Sequence, residues 1–110
     1  MAEYVPERGD FIWLNFNPQA GHEQSGKRPA LVLSPKDYNR RTSLLIACPV
    51  TSKVKGYPFE VRVTAEKING AILSDQVKSL DWKVRKATFA EKATAPVIAE
   101  TQTKLLLLLE

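Results

Sequence analysis

The segment Arg28-Pro29-Ala30-Leu31-Val32-Leu33-Ser34 decides the fold class of this 110-residue chain. Its four consecutive apolar residues are typical of a strand that is buried on both faces. Pro35 ends the strand, because proline has no N–H group to donate to a neighbouring strand. The segment therefore predicts a central strand in a sheet that is covered on both sides.

The segments on either side of it extend this sheet. Residues 10–17 carry aromatic and branched side chains on both faces of a predicted strand, and residues 44–50 form another apolar strand. Residues 59–64 alternate apolar and polar side chains, which predicts one buried face and one face in water. The dipeptide Asn69-Gly70 predicts a tight turn that opens a strand at residues 71–74.

Polar segments separate these strands. Residues 18–26 and 51–58 contain the glycine and proline that mark loops. Residues 36–43 are polar and are expected to hold one helical turn. A further short strand is predicted at residues 85–89.

The C-terminal segment has a different periodicity. Thr94 is suited to cap a helix, and Pro96 is tolerated in a first turn, where its missing N–H group has no partner to lose. Helical spacing then places four residues on one stripe: Val97, Thr101, Leu105 and Leu108. The unbroken run of leucines at 105–109 is wider than one stripe, so part of it is expected to face a partner subunit.

Short strands followed by one terminal helix predict a mostly β protein with minor α content, an SH3-like antiparallel barrel with the helix packed on it. The length predicts a single domain, 1–110. No apolar run is long enough to cross a membrane, and the N-terminus lacks the pattern of a signal peptide. The single cysteine, Cys48, lies in an apolar strand and is expected to be a buried structural thiol. These features favour a cytoplasmic protein.

The charge distribution is uneven. The net charge is +4, but residues 27–86 hold thirteen of the sixteen basic residues and five of the twelve acidic ones. This pattern indicates either an ordinary solvated surface or a binding face for a polyanion. Charge alone does not decide between them.

Several kinds of catalytic site are excluded by their missing motifs. The chain has no cysteine–histidine cluster for zinc, no HExxH and no glycine-rich phosphate loop. Its one histidine, His22, excludes a two-histidine ribonuclease, and no nucleophile elbow supports a serine–histidine–aspartate triad. What remains is a polar cluster on loops between strands: His22, Glu23, Gln24, Lys27, Arg28, Thr51, Ser52 and Asp75.

This cluster suits a substrate that supplies its own nucleophile, as RNA does with its 2′-hydroxyl. Such a reaction needs a base, donors around the phosphorane and an acid at the leaving oxygen. Arg28 fits the phosphorane because its fork of donors matches two phosphate oxygens, Thr51 adds a hydroxyl, and Glu23 or His22 could move the proton. Each residue also has an ordinary interpretation: Arg28 pairs with Glu23, Thr51 caps a turn, and His22 is solvated.

The ordered motifs resemble the MazF/PemK (Kid) toxin family over nearly the whole chain. The N-terminal matches are Gly9-Asp10, Ile12-Trp13, Pro18 and Gly21-His22-Glu23-Gln24-x-Gly26-x-Arg28-Pro29. The later matches are Val32-Leu33-Ser34-Pro35, Tyr38-Asn39, Pro49-Val50-Thr51-Ser52, Lys55-Gly56-Tyr57-Pro58-Phe59-Glu60-Val61 and Asp75-Gln76-Val77-Lys78-Ser79.

The resemblance implies a plug-like barrel, a homodimer, and cleavage of single-stranded RNA to a 2′,3′-cyclic phosphate and a 5′-hydroxyl. It assigns catalysis to Arg28 and Thr51, implicates Glu23 and His22 in the site, and matches Asp75 and Gln76 to substrate contact or catalysis. One departure matters: PemK-like members have an arginine two residues before the aspartate, where this chain has Leu73. Arg28 is therefore expected to carry more of the charge stabilisation.

The remaining polar and aromatic residues of these segments are predicted to bind substrate: Gln24, Lys27, Ser52, Lys53, Lys55, Tyr57 and Lys78. No metal and no cofactor is expected. The expected partners are single-stranded RNA, a second copy of the chain, and an antitoxin with an acidic, disordered C-terminal tail that competes with RNA. An alternative stays open, because the gyrase-poisoning CcdB toxins share this fold without being nucleases.

Overall fold

Seven strands and two helices make up the part of the chain that our computed structural model describes, residues 3–16 and 27–110. In chain order they are β1 (Asp10–Asn15), β2 (Lys27–Val32), α1 (Lys36–Thr42), β3 (Leu44–Thr51), β4 (Glu60–Thr64), β5 (Asn69–Leu73), β6 (Lys78–Asp81), β7 (Thr88–Lys92) and α2 (Ala95–Leu107). The strands form a curled antiparallel half-barrel, in the order β4-β5-β3-β2-β1-β7, with β6 also paired to β3. The predicted fold class is confirmed.

The central strands are buried on both faces, as their apolar runs predict. Along β2 and the residue after it, Leu31 and Leu33 pack into one hydrophobic cluster, whereas Ala30 and Val32 pack into another on the opposite face. The first cluster also contacts Val97 and Leu105 of α2. Because successive side chains of a strand point to opposite faces, one sheet supports both cores.

Helix α2 begins as its sequence predicts. Thr94 occupies the N-cap position, although its side chain makes no capping hydrogen bond among the described residues, and proline lies in the first turn. Thr101 is fully buried and Leu105 half-buried, but Leu108 lies beyond the helix and is 49% exposed, so its predicted place on the packed stripe is wrong. Cys48 is fully buried, and burial together with the Asp75 carboxylate raises the pKa of its thiol to about 12. This confirms a structural thiol, because a thiol with so high a pKa stays protonated near neutral pH.

The predicted turn at Asn69-Gly70 is wrong. Both residues belong to β5, where Asn69 pairs with Thr64 and Gly70 with Val63. The turn lies at residues 65–68 instead, closed by the Ala65 N–H donating to the Ile68 carbonyl over 3.0 Å. Glycine is required at residue 70 for another reason: a Cβ atom there would lie 2.0 Å from the carbonyl oxygen of Thr51.

Two further boundaries differ from prediction. Residues 36–43 hold a seven-residue helix, α1, rather than a single turn. The strand predicted at 85–89 begins later, at Thr88, because residues 82–86 form a turn after the unpredicted strand β6. Within the described residues no helix is long and apolar enough to span a membrane.

Candidate active site

Strands β2 and β3 bring the two predicted catalytic residues to the same edge of the sheet. Their antiparallel pairing aligns Ala30 with Pro49 and Leu31 with Cys48. Arg28 lies two residues before Ala30 in β2, and Thr51 lies two residues after Pro49 in β3. Because antiparallel strands run in opposite directions, the two residues lie at the same end of the strand pair, and they line one cleft although 22 residues separate them in the sequence.

The two residues open into a cleft of about 710 Å³, which we call the basic cleft. Its described walls come from β1, β2, β3, β5 and β6 and from the segments next to them. They consist of Trp13, Phe16, Lys27, Arg28, Pro29, Pro49, Val50, Thr51, Ser52, Lys53, Lys67, Ile68, Asn69, Leu73, Gln76 and Lys78.

The basic cleft is strongly cationic. Five of its described residues are basic and none is acidic: Lys27, Arg28, Lys53, Lys67 and Lys78. A concave surface lined by charge of one sign concentrates the electric field and attracts counter-charged ligands. The arrangement therefore fits a polyanion, and it favours the second of the two interpretations of the sequence charge.

Among the described residues, no group accepts a hydrogen bond from the Arg28 guanidinium or from the Thr51 hydroxyl. Arg28 is exposed, and among the described residues its guanidinium has no hydrogen-bond or ion-pair partner. The Thr51 hydroxyl oxygen accepts the Lys53 N–H over 3.1 Å. Because that bond uses an oxygen lone pair, the hydroxyl proton remains available to a ligand. A phosphate group is the natural acceptor for both donors.

A second cleft of about 490 Å³, the side cleft, adjoins the first and shares Thr51, Lys53, Leu73 and Gln76 with it. Its other described residues are Lys55, Tyr57, Glu60 and Asp75. The Tyr57 hydroxyl donates to the Asp75 carboxylate over 2.9 Å. That bond, followed by charge repulsion from the same carboxylate, raises the pKa of Tyr57.

The two clefts together contain ten of the predicted site residues: Lys27, Arg28, Thr51, Ser52, Lys53, Lys55, Tyr57, Asp75, Gln76 and Lys78. His22, Glu23 and Gln24 lie outside the described residues. Leu73 lines both clefts, and Arg28 is the one arginine among their described residues. Within the described part of the chain no group of three or more histidine, cysteine, aspartate or glutamate side chains could hold a metal ion.

Sequence reasoning missed several residues of the clefts. Trp13 in β1 and Phe16 directly after it lie in a segment for which the sequence predicted only a strand, yet each packs against a hydrophobic cluster and also lines the basic cleft. Arg85 donates to the carbonyl oxygen of Phe16 over 2.6 Å and so fastens this wall to the turn before β7. Lys67 lies in the unpredicted turn at 65–68, whose position no local signal reveals.

Glu60 is another missed residue. It occupies a polar position in the alternating segment 59–64, where Arg62 and Thr64 are exposed as predicted, yet it is only 7% exposed. The predicted exposure of this face is therefore wrong at its first polar residue.

A family model, curated relatives and solved structures all match this chain to the same toxin family. Residues 7–109 match the family described as PemK-like, MazF-like toxin of type II toxin-antitoxin system. The Escherichia coli K12 endoribonuclease toxin MazF is 49% identical over 88 residues, which are 80% of this chain and 79% of that protein. The structure of Deinococcus radiodurans MazF matches with a TM-score of 0.87 at 56% identity, over 97% of this chain and 98% of that one. A Deinococcus radiodurans MazE–MazF structure matches with a TM-score of 0.88 at 49% identity, over 97% of each chain.

Proposed function

We propose that this chain cleaves single-stranded RNA at specific sequences and without a metal ion. The chain belongs to the PemK-like, MazF-like family of toxins of type II toxin–antitoxin systems. Relatives that cover four fifths of the chain are named endoribonucleases, which supports an RNA-cleaving enzyme. The observation that carries the proposal is that Arg28 and Thr51 line one cleft with four lysines, and that no described residue accepts a hydrogen bond from either side chain.

The chemistry uses the nucleophile that RNA supplies. The 2′-oxygen attacks the adjacent phosphorus and loses its proton to a base, while the bond from phosphorus to the 5′-oxygen breaks and that oxygen gains a proton. The products are a 2′,3′-cyclic phosphate and a 5′-hydroxyl. Because no bond to the protein forms, the enzyme needs only donors for the charged phosphorane and groups that move two protons.

Arg28 and Thr51 stabilise the phosphorane in this proposal. The guanidinium can contact two equatorial oxygens at once, and it stays charged throughout the reaction. The Thr51 hydroxyl adds a neutral donor from the opposite strand. Leu73 contributes no charge to the shared wall of the clefts, so the stabilisation depends on Arg28. Glu23, with His22, is proposed to move protons.

The remaining residues bind the strand on either side of the cut. Lys27, Lys53, Lys55 and Lys78 neutralise phosphates, and Gln24, Ser52, Asp75 and Gln76 contact sugar or base edges. Tyr57 is 46% exposed and offers a ring on which an unstacked base can pack. Base edges are accessible in this way only in a single strand.

Two protein partners belong to the proposal. The first is a second copy of the chain, bound through the apolar end of α2, where Leu106 is 53%, Leu107 61% and Leu109 69% exposed. The second is an antitoxin whose disordered, acidic C-terminal tail lies in the basic cleft and excludes RNA. Opposite charge attracts such a tail, and its ordering on binding makes the inhibition reversible. Cytoplasmic mRNA is the proposed substrate pool.

The decisive experiment maps the ends produced on a defined RNA pool by the purified chain in EDTA. We expect cuts at one short sequence in single-stranded regions, with cyclic phosphate and 5′-hydroxyl ends. Intact RNA under these conditions, together with stabilised gyrase–DNA cleavage complexes, would instead support a gyrase poison. Cleavage that requires added metal would overturn the proposed chemistry but not the substrate.

A further inference from the structure

The loop of residues 53–57 carries two of the proposed phosphate-binding lysines, and a buried carboxylate holds its backbone. Glu60 is 7% exposed and lies at the start of β4. Its Oε1 atom accepts the Gly56 N–H over 3.0 Å and the Tyr57 N–H over 3.3 Å. Its Oε2 atom accepts the Lys55 N–H over 3.2 Å. One side chain thus gathers three consecutive backbone N–H groups.

The same residue is tied to the rest of the fold through its backbone. The Lys104 ammonium of α2 donates to the Glu60 carbonyl oxygen over 2.9 Å, and the Glu60 N–H donates to the Tyr57 carbonyl oxygen over 3.0 Å. Glu60 therefore links the loop to both β4 and α2. Apart from these bonds, the loop is tied at the Lys53 N–H and at the Tyr57 hydroxyl.

We propose that Glu60 is a positioning residue for RNA: it holds the loop of residues 53–57 so that Lys53, Lys55 and Tyr57 line the cleft wall beside Thr51. This inference rests on the proposed function. The carboxylate oxygens of Glu60 accept the three loop N–H groups and would repel a phosphate, so we expect Glu60 to act on RNA through Lys53, Lys55 and Tyr57. A loop that is already ordered binds a strand without the entropic cost of ordering it first.

The substitution Glu60→Gln tests this because it preserves shape while removing the charge and half of the acceptors. The amide NH₂ group that replaces one oxygen is a donor and cannot accept a backbone N–H bond. If Glu60 merely added negative charge near a polyanion, its loss would lower KM. A positioning role predicts the opposite sign, an increase in KM of about tenfold with kcat nearly unchanged.

Two controls separate positioning from charge and from general stability. Glu66→Gln removes the same charge from an exposed residue of the turn at 65–68, and it should leave KM unchanged or slightly lower. Glu60→Gln should also lose most of its effect when it is combined with Lys53→Ala and Lys55→Ala, because residues that act through one another are not additive.

Amide hydrogen exchange measured by NMR on the RNA-free protein completes the test. Exchange at Lys55, Gly56 and Tyr57 should become faster in Glu60→Gln, while the amides of β3 keep their protection. An unchanged or lowered KM, an equally large increase in KM without the two lysines, or unchanged exchange would each overturn the proposal. Because exchange needs no RNA, a chain that proved unable to cut RNA would refute the proposed function and still show whether Glu60 holds the loop.

Discussion

Two polar clusters lie near opposite ends of strand β3 and use their hydrogen-bonding groups in opposite ways. Near the first end, the side-chain amide of the fully buried Asn39 donates to the Pro6 carbonyl over 2.8 Å and accepts the Ser34 hydroxyl over 2.6 Å. The backbone carbonyl of Asn39 accepts the Trp82 indole N–H over 2.9 Å. At the other end, Arg28 is exposed and has no partner among the described residues, and the Thr51 hydroxyl keeps its proton free.

This difference in hydrogen bonding indicates that the Asn39 cluster stabilises the fold, whereas the Arg28 cluster is available to bind a ligand. A buried polar group that has all its partners contributes to a unique fold, and the loss of one partner leaves the others unsatisfied. An exposed donor without a partner contributes little to folding, yet it is ready to bind. The Asn39 cluster should therefore be sensitive in unfolding experiments, and the Arg28 cluster in enzyme kinetics.

The largest expected effect is that of Arg28→Ala on cleavage. Loss of a charged phosphate-stabilising group should lower kcat by about 10²–10³, or about 3–4 kcal/mol, because the group contacts charge that develops in the transition state. The free energy of unfolding should stay near that of the wild type. Single-turnover cleavage and urea denaturation measure the two quantities.

Arg62→Ala is the matched control, since Arg62 is exposed on β4 and lines neither cleft. Arg28→Lys should be nearly as inactive as Arg28→Ala, because a point charge does not replace a fork of donors. Near-normal cleavage by folded Arg28→Ala protein would remove Arg28 from the proposed mechanism.

Asn39→Ala should have the converse effect. It leaves the Ser34 hydroxyl and the Pro6 carbonyl without their partner, which should lower the free energy of unfolding by about 2–3 kcal/mol. The rate of cleavage at a temperature where the protein is folded should not change. Asn69→Ala makes the same chemical change at an exposed position and should cost about 0.5 kcal/mol or less. Equal losses of stability in the two variants would contradict the comparison.

A smaller effect is expected when Lys53 and Lys55 are both replaced by alanine. Each lost phosphate contact should reduce the slope of log affinity against log salt by about 0.7, and KM should rise while kcat at saturating RNA stays nearly constant. Replacing Lys36 and Lys83, which line neither cleft, removes the same charge elsewhere. An unchanged salt slope would identify Lys53 and Lys55 as solvated charges, and a fall in kcat alone would assign them to catalysis.

The smallest effect concerns Tyr57 and Asp75. Because the carboxylate raises the pKa of Tyr57, Asp75→Asn should lower that pKa towards the usual value near 10. The sign for stability follows: the contribution is present below the ordinary tyrosine pKa and is lost as the pH rises through the raised one. Ultraviolet titration of tyrosinate measures the shift, and Tyr57→Phe identifies the transition. An unchanged titration would mean that the hydrogen bond does not persist in solution.

Local patterns in the sequence predicted much of the fold. The apolar run from Ala30 to Leu33 predicted a strand covered on both faces, and Pro96 predicted the start of α2. These inferences succeed because the two-residue repeat of a strand and the missing N–H group of proline act within a few residues. The resemblance of the motifs likewise indicated Arg28 and Thr51, which the structure then brings to one cleft.

Other features depended on contacts between distant segments. Asn69-Gly70 has the composition of a turn, but its glycine is needed where β5 approaches the Thr51 carbonyl. Lys67 reaches the basic cleft in a turn that is held by Glu91, 24 residues away, whose carboxylate accepts the Lys67 N–H over 2.7 Å. The sequence pattern predicts that Glu60 faces solvent, but in the structure the preceding loop covers its carboxylate.

The sequence by itself therefore determined which segments form the sheet, which family the chain resembles and which two side chains are suited to a phosphate. Only the tertiary structure decided which other residues share the cleft with them and what holds those residues in place. The physical reason is that backbone periodicity is local, whereas a cleft is built where strands distant in sequence come together and buried charges bind the backbone of other segments.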